Sequence, residues 1–319
     1  MHSHAIHRFQ RVRVHACYAI VLAWLCAFVC VAQVRAETPC GALAKVSDAT
    51  CPRPLNLESA RGLALGTGAR ASSLSTSALA YNPAALVVGR LYHAEGLVDY
   101  MPDMKTVALG GAIVDSSTSR LAAGISFRGF LSGQTGFGGI DGRVGLGFPL
   151  SEAISLGLSG RYINVKRDGE GVDALPESVR AVKGFTLDAA LRVVPIPTLM
   201  LYGAGYNLIS LDSVYAPLTF GGGAALALGD IAVVGTDVLV DMSSYDSSAV
   251  TLGGGVEVFA AQVVPIRAGY SYDIKREQHT LTLGLGYTDR SVGLDLSLRQ
   301  DLGGEGDTRI MGAFRFFVH

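Results

Sequence analysis

Residues 265–274 read PIRAGYSYDI, and every step along them changes face. Ile266, Ala268, Tyr270, Tyr272 and Ile274 fall on one side; Arg267, Gly269, Ser271 and Asp273 fall on the other. The alternation returns three times before the chain stops. Leu281, Leu283, Leu285 and Tyr287 oppose Thr280, Thr282, Gly284 and Gly286. Val292, Leu294, Leu296 and Leu298 oppose Gly293, Asp295, Ser297 and Arg299. Ile310, Phe314, Phe316 and Val318 oppose Met311, Ala313 and Arg315. A side-chain period of two means strands. An apolar face set against Gly, Ser, Thr and charges of both signs suits a sheet with lipid outside and polar filling inside.

Working back towards residue 91, about fourteen such runs appear, of the length that spans a bilayer obliquely. They cover 91–100, 105–115, 120–131, 141–150, 153–166, 182–194 and 199–209, then 217–228, 231–242, 249–259, 263–274, 280–287, 291–298 and 309–318. Twelve is the alternative count. Compact turns at 115–119, 150–152, 195–197, 229–230 and 289–290 alternate with longer polar stretches such as 167–181 and 303–307. Short turns at one end and longer loops at the other are the pattern of a transmembrane antiparallel β-barrel. The expected fold class is therefore all-β.

The inward face collects the charges: Arg128, Arg143, Arg161, Asp188, Arg192, Asp237, Asp241, Glu257, Arg267, Asp273, Asp295, Arg299 and Arg315. An Arg or Lys facing lipid at mid-depth costs about 2–4 kcal/mol, whereas inside it can pair or meet water. The alternative, a soluble sheet, would leave the opposite face of every strand as one exposed apolar surface.

Composition agrees. Of the 319 residues 49% are hydrophobic and only 17% charged, with a net charge of -1. Soluble domains carry roughly 25% charged residues, and no basic excess points to a nucleic-acid partner. At the N-terminus, Arg8, Arg11 and Arg13 precede the apolar stretch 16–32, and Val34-Arg35-Ala36 resembles a cleavage site, so 1–36 reads as a signal peptide. A retained membrane anchor is the alternative. Beyond it no run of roughly 18 apolar residues offers a spanning helix, so a membrane role falls to a barrel. Cys17, Cys26 and Cys30 lie in the signal; Cys40 and Cys51 remain and are expected to form one disulfide in an oxidising compartment. No further Cys or His stands near them to complete a metal site, and no cofactor is implied.

Residues 37–90 read differently, with an irregular Pro-containing start, a short helix within 57–71 broken by Gly62, Gly66 and Gly68, and the turn Asn82-Pro83-Ala84. They are either a linker or a plug packed in the lumen of a barrel that occupies 91–319.

The Gly- and Ala-rich stretch 62–81 leading to Asn82, Pro83 and Ala84 resembles the N-terminal hatch of FadL-type outer-membrane transporters, and 265–273 and 278–287 resemble their closing strands. The secretion-shuttle relatives of PorV type share both features. The resemblance implies an outer-membrane location in a Gram-negative bacterium. It implies passive uptake of hydrophobic small molecules of the fatty-acid or hydrocarbon class, or, in the shuttle reading, a secreted or surface protein as partner. It also implies a gap in the wall near the third strand, where Gly124, Gly129, Gly133 and Gly136 ease bending. The chain is short for the family, so its loops are short, and the cysteine pair departs from the family pattern.

An enzyme on the same fold would need a Ser-His-acid arrangement. Beyond the signal only His93, His279 and His319 are on offer, and no Ser sits in an elbow motif, so no catalytic residue is assigned. The runs Gly221–Gly223 and Gly253–Gly255 lack the Lys-Ser/Thr of a phosphate loop and read as strand bends or close packing against the plug.

Overall fold

The computed structural model describes residues 38–44, 51–55, 58–132, 135–303 and 307–318. The signal-peptide reading of 1–36 and Gly133 lie outside them. Fourteen strands follow one another: β1 (Tyr92–Met101), β2 (Thr106–Asp115), β3 (Ala122–Ser132), β4 (Gly136–Pro149), β5 (Ile154–Asp168), β6 (Ala181–Ile196) and β7 (Leu199–Tyr206). Then come β8 (Thr219–Leu228), β9 (Ala232–Asp241), β10 (Ala249–Ala260), β11 (Val264–Asp273), β12 (Gln278–Thr288), β13 (Val292–Leu302) and β14 (Thr308–Val318). Each pairs antiparallel with its sequence neighbours, and β1 pairs with β14 from Tyr92↔Val318 to Tyr100↔Ile310, so the sheet closes without an edge. Closure leaves no unpaired edge at the β1–β14 seam, which is what lipid demands.

Alternation fixes which way each side chain looks. In β12 and β13, Leu283 and Leu296 are 58% and 60% exposed while Thr282 and Asp295 are buried. Outward aromatics mark two levels: Tyr100, Tyr162, Phe185 and Tyr270 near the longer loops, Tyr92, Tyr287 and Phe316 near the short turns. These are the girdles of a membrane barrel, with the short-turn end periplasmic.

Two strands end where periodicity alone misjudged them. The run 199–209 stops at Tyr206 because Asn207 takes φ 53° and donates its N–H to the Asp188 carboxylate at 2.8 Å rather than to a ladder. β4 starts earlier than expected, at Gly136, whose φ of 112° turns the chain into the strand.

Before β1 the chain forms α1 (Pro39–Ala44), α2 (Ala60–Ala64), α3 (Ser75–Tyr81) and a 3₁₀ turn (Pro83–Val87); α4 (Glu177–Arg180) lies in the β5–β6 loop. The helix expected within 57–71 is only five residues long, and Gly62 lies inside it rather than breaking it. The Tyr81 ring occupies the space a Cβ at Gly62 would need. Ser59 caps the helix by accepting the Gly62 N–H at 3.1 Å. Asn82 ends α3, and Pro83 opens the 3₁₀ turn, where its missing N–H costs nothing.

Candidate functional site

Residues 58–88 run down the inside of the barrel, and the wall is cut to receive them. Gly68 lies so close to β9 and β10 that a Cβ on it would stand 2.5 Å from the Gly235 carbonyl oxygen and 2.6 Å from the Gly255 nitrogen. A Cβ on Gly255 would meet the Leu65 carbonyl oxygen at 2.5 Å. Gly255, Gly235 and Gly269 thus form a groove in which backbone lies on backbone, and Gly253 makes room for the Thr67 hydroxyl. Gly221–Gly223 serves differently, making room for the Tyr202 ring and the Asp237 carboxylate.

Wall side chains then satisfy the carbonyls of this luminal segment. Ser297 donates to Ala60 at 2.6 Å, Thr282 to Ala64 at 3.0 Å, Arg143 to Ala80 at 3.1 Å and Ser155 to Ala84 at 2.7 Å. Tyr206 donates to the Tyr81 carbonyl at 2.5 Å. The donors come from strands on opposite sides of the barrel, which places the segment within it. Burial pushes the Tyr81 phenol well above its ordinary range.

The luminal charges form chains of ion pairs. Arg61 grips Glu257 with 3.1 and 2.6 Å bonds; Glu257 also takes Arg267 at 2.6 Å; Arg267 reaches Asp295 at 2.5 Å, and Asp295 takes Arg315 at 2.6 Å. A second chain links Arg128, Asp99, Arg309, Glu58, Arg299 and Asp307. Arg143 pairs with Asp188 at 2.8 Å, Arg161 with Asp141 at 2.6 Å and Arg276 with Asp273 at 2.5 Å. Arg70 lies 3.5 Å from Asp237 and over the Tyr81 ring. Arg192 faces inward near the short-turn end, its Nε buried without a partner. Asp241 accepts the Ser243 and Ser244 N–H groups at 3.0 Å each. Sequence reasoning missed the partners Asp99, Asp141, Arg309, Glu58, Arg61 and Arg70, although Asp141 and Arg309 share parity with Arg143 and Arg315, which it did assign.

The outer end of the lumen is divided lengthwise. Along β8–β13 lies a polar cavity of about 110 Å³, bordered by Arg53, Thr67, Arg70, Asp241, Asp273 and Arg299. Along β1–β6 the lining is apolar: Met101, Ala108, Phe130, Phe137, Ile163, Val165 and Val182 point inward and are buried. Phe130 is in phase with Arg128, Ile163 and Val165 with Arg161, and Val182 with Asp188, a parity that identifies them as luminal. The loops close over them with Val179, Val214, Tyr215 and Ala216, and Phe137 meets Tyr215 edge-on at 5.1 Å.

The wall beside this apolar cluster is irregular. β6 continues for eight residues (181–188) beyond its pairing with β7, which begins at Ala189. Residues 207–218 replace the ladder there, held by the Leu208 N–H to Leu187 oxygen bond (2.8 Å) and by Thr186 donating to the Ile209 carbonyl (2.8 Å). Leu208 and Ile209 are exposed on the outer surface, and Leu211 packs over Gly184. By contrast β3 is laddered on both sides, from Thr106↔Ser132 to Asp115↔Ala123 and from Ala122↔Gly147 to Phe130↔Gly139. The gap expected at the third strand is absent among the described residues. Gly124 makes room for Val114 and Leu79, and Gly136 serves a turn, so these glycines are used for packing rather than for a breach.

Cys40 and Cys51 are joined by a disulfide at the longer-loop end. His93 meets Ser75 through Nδ1, but its Nε2 has no partner, and Glu95 instead accepts from Thr76 at 2.9 Å. His279 bonds the Tyr270 hydroxyl at 2.5 Å on the outer face.

A closed fourteen-stranded barrel with an apolar exterior, an ion-paired interior and an N-terminal segment threaded through it has the architecture of FadL-type hydrophobic-compound transporters. Solved structures share its barrel fold. The toluene transporter TbuX of Ralstonia pickettii aligns over 83% of this chain and 99% of its own, with a TM-score of 0.61 at 12% identity. The toluene transporter TodX of Pseudomonas putida aligns over 83% and 99%, with a TM-score of 0.57 at 14% identity. A FadL homologue of Pseudomonas aeruginosa aligns over 82% and 97%, with a TM-score of 0.56 at 12% identity. At such identities the likeness is one of fold. No protein-family model matches the sequence. No curated protein matches it either.

Proposed function

We propose that the chain is an outer-membrane barrel, exported by its N-terminal signal, through which hydrophobic small molecules pass passively, with residues 37–90 as its plug. The observation that carries this reading is the apolar lining at the outer end of a lumen that is otherwise ion-paired and filled. A charged solute gains nothing from such a lining; a hydrocarbon does, at about 25 cal/mol per Å² removed from water. The plug is bound to both walls, so the straight path to the periplasm is closed. The irregular wall at 207–218 gives this end of the lumen a sideways exit: non-ladder backbone at membrane depth is tolerated where it is buried in protein. The fold-level likeness to structures named as toluene transporters and a FadL homologue supports the same class of solute.

The test is uptake by intact cells. A strain lacking the protein should take up labelled alkyl aromatics or long-chain fatty acids more slowly than its complemented parent. Equal rates for both compounds would remove the transport reading.

A further inference from the structure

Among the described residues, the Arg and Lys side chains of the strands stand at luminal positions with two exceptions, Lys166 in β5 and Lys183 in β6. Both are exposed and in phase with lipid-facing neighbours, Lys166 with Leu158 and Tyr162, Lys183 with Phe185 and Leu187. The strand register brings them side by side: Tyr162 pairs with Phe185, Asn164 with Lys183 and Lys166 with Ala181. Two residues, about 7 Å along a strand, thus carry the wall outward from the aromatic girdle at Tyr162 and Phe185 to Lys183, and two more carry it to Lys166. A lysine on the lipid face is costly at mid-depth and nearly free at headgroup level. Just beyond the girdle, these two stand at the level of lipid phosphates. Lys166 has an exposed partner, Asp168 at 2.9 Å, which holds it only weakly. The Lys183 ammonium has no ion pair or hydrogen bond among the described residues.

Below the lysines the outer wall offers a broad apolar strip. The Phe185 ring lies across Gly160, where a Cβ would stand 2.8 Å from it. Leu187 continues the strip along β6. Leu208 and Ile209 widen it onto the irregular segment, which the Leu208 N–H to Leu187 oxygen bond ties to β6. Resting on the outer-membrane placement but not on what the barrel carries, we infer that Lys166, Lys183 and Asn164 bind the phosphate groups of an outer-leaflet phosphoglycolipid, whose acyl chains lie on Phe185, Leu187, Leu208 and Ile209. The two ammonium groups supply compact charges for phosphate, and the exposed Asn164 amide supplies a donor and an acceptor between them. Three backbones wide, the strip suits a lipid of several chains rather than the two of a phospholipid. Seated there, the lipid covers the outer side of residues 208–209, where the ladder between β6 and β7 is missing.

The test gives the full barrel, in phosphatidylcholine nanodiscs, hexa-acylated diphosphoryl lipid A at rising mole fraction and counts bound lipid by native mass spectrometry. One lipid A per barrel should be retained in preference to the rest. A lysine near a membrane surface attracts an anionic lipid by about a factor of five, so Lys183→Gln and Lys166→Gln should each weaken retention about fivefold, and the double variant about 30-fold. Lys275→Gln, in the exposed turn between β11 and β12, should leave it unchanged. Lipid A should also slow hydrogen exchange at the Leu208 amide, in the wild type and not in the double variant, with β13 amides unaffected. Equal retention by the double variant and the wild type overturns the inference. Displacement from the wild type by an equal mole fraction of phosphatidylglycerol, or by inorganic phosphate, also overturns it and needs no variant. Retention of lipid A, lost in the double variant, by a barrel that gives cells no uptake advantage upholds the site and removes only the transport reading.

Discussion

The plug is held by shape as much as by charge, and Gly68 is where this can be measured. Changing Gly68 to Ala places a methyl 2.5 Å from the Gly235 oxygen and 2.6 Å from the Gly255 nitrogen, where ordinary contact begins near 3.4 Å. Both obstacles are backbone atoms of laddered strands and cannot turn aside. The plug must therefore lift by almost 1 Å, which carries the Arg70 N–H away from the Asp237 carboxylate it now meets at 3.2 Å. Overpacking of this kind costs about 1–3 kcal/mol. At about 2 kcal/mol the undocked plug becomes roughly 30-fold more populated. Hydrogen exchange in nanodiscs should show that factor at the Arg70 amide, which opens only when the segment leaves the wall. The control is Gly96→Ala on the lipid face, where a Cβ meets nothing within 4 Å. If Gly68→Ala exchanges at Arg70 no faster than Gly96→Ala, the plug does not rest on the glycine groove and the argument fails.

Removing one arm of the buried network should also loosen the plug. Arg61→Met leaves Glu257 with only Arg267, and unfolding in urea from lipid vesicles should report a loss of about 3 kcal/mol, the low end for a broken buried pair. Burial pushes the Tyr215 hydroxyl up to about 12, so its contribution is complete below the ordinary tyrosine value near 10 and disappears as pH rises through 12. Exchange in the 207–218 segment should accelerate in that window, and Tyr215→Phe should abolish the alkaline step. In the β12–β13 turn, N–H groups of Ser291 and Val292 hold the Asp289 carboxyl below the usual carboxylate range. Its contribution is present above about pH 4 and is lost as pH falls through the depressed value. Asp289→Asn should flatten this acid dependence at the turn, as followed by exchange at Val292.

Much of the wall was legible because a barrel strand in lipid obeys one rule, apolar out and polar in, and Leu283 against Thr282 obeys it without exception from tertiary context. The outer lumen was less so. Phe130, Ile163 and Val165 are apolar on both counts, and only their parity with Arg128 and Arg161 shows that they face inward. The plug was least legible. Its helix α3 reads as a small polar stretch, because its stability comes from wall donors such as Arg143 and Tyr206, more than 60 residues away in sequence. The wall break was placed at the wrong strand for a related reason. Glycine marks where a backbone can bend or be approached, and in β3 the space at Gly124 is taken by Val114 and Leu79. The break itself rests on Asn207, whose turn inward depends on a bond to Asp188 in the neighbouring strand.

The central claim is that the apolar outer lumen of a plugged barrel passes a small hydrophobic cargo. Native mass spectrometry of protein released gently from outer membranes tests this most directly. The account predicts one recurring small apolar compound bound to the barrel, lost when Phe137 is changed to a charged residue. A barrel that carries only membrane lipid, or a stoichiometric protein in place of a small molecule, would contradict it.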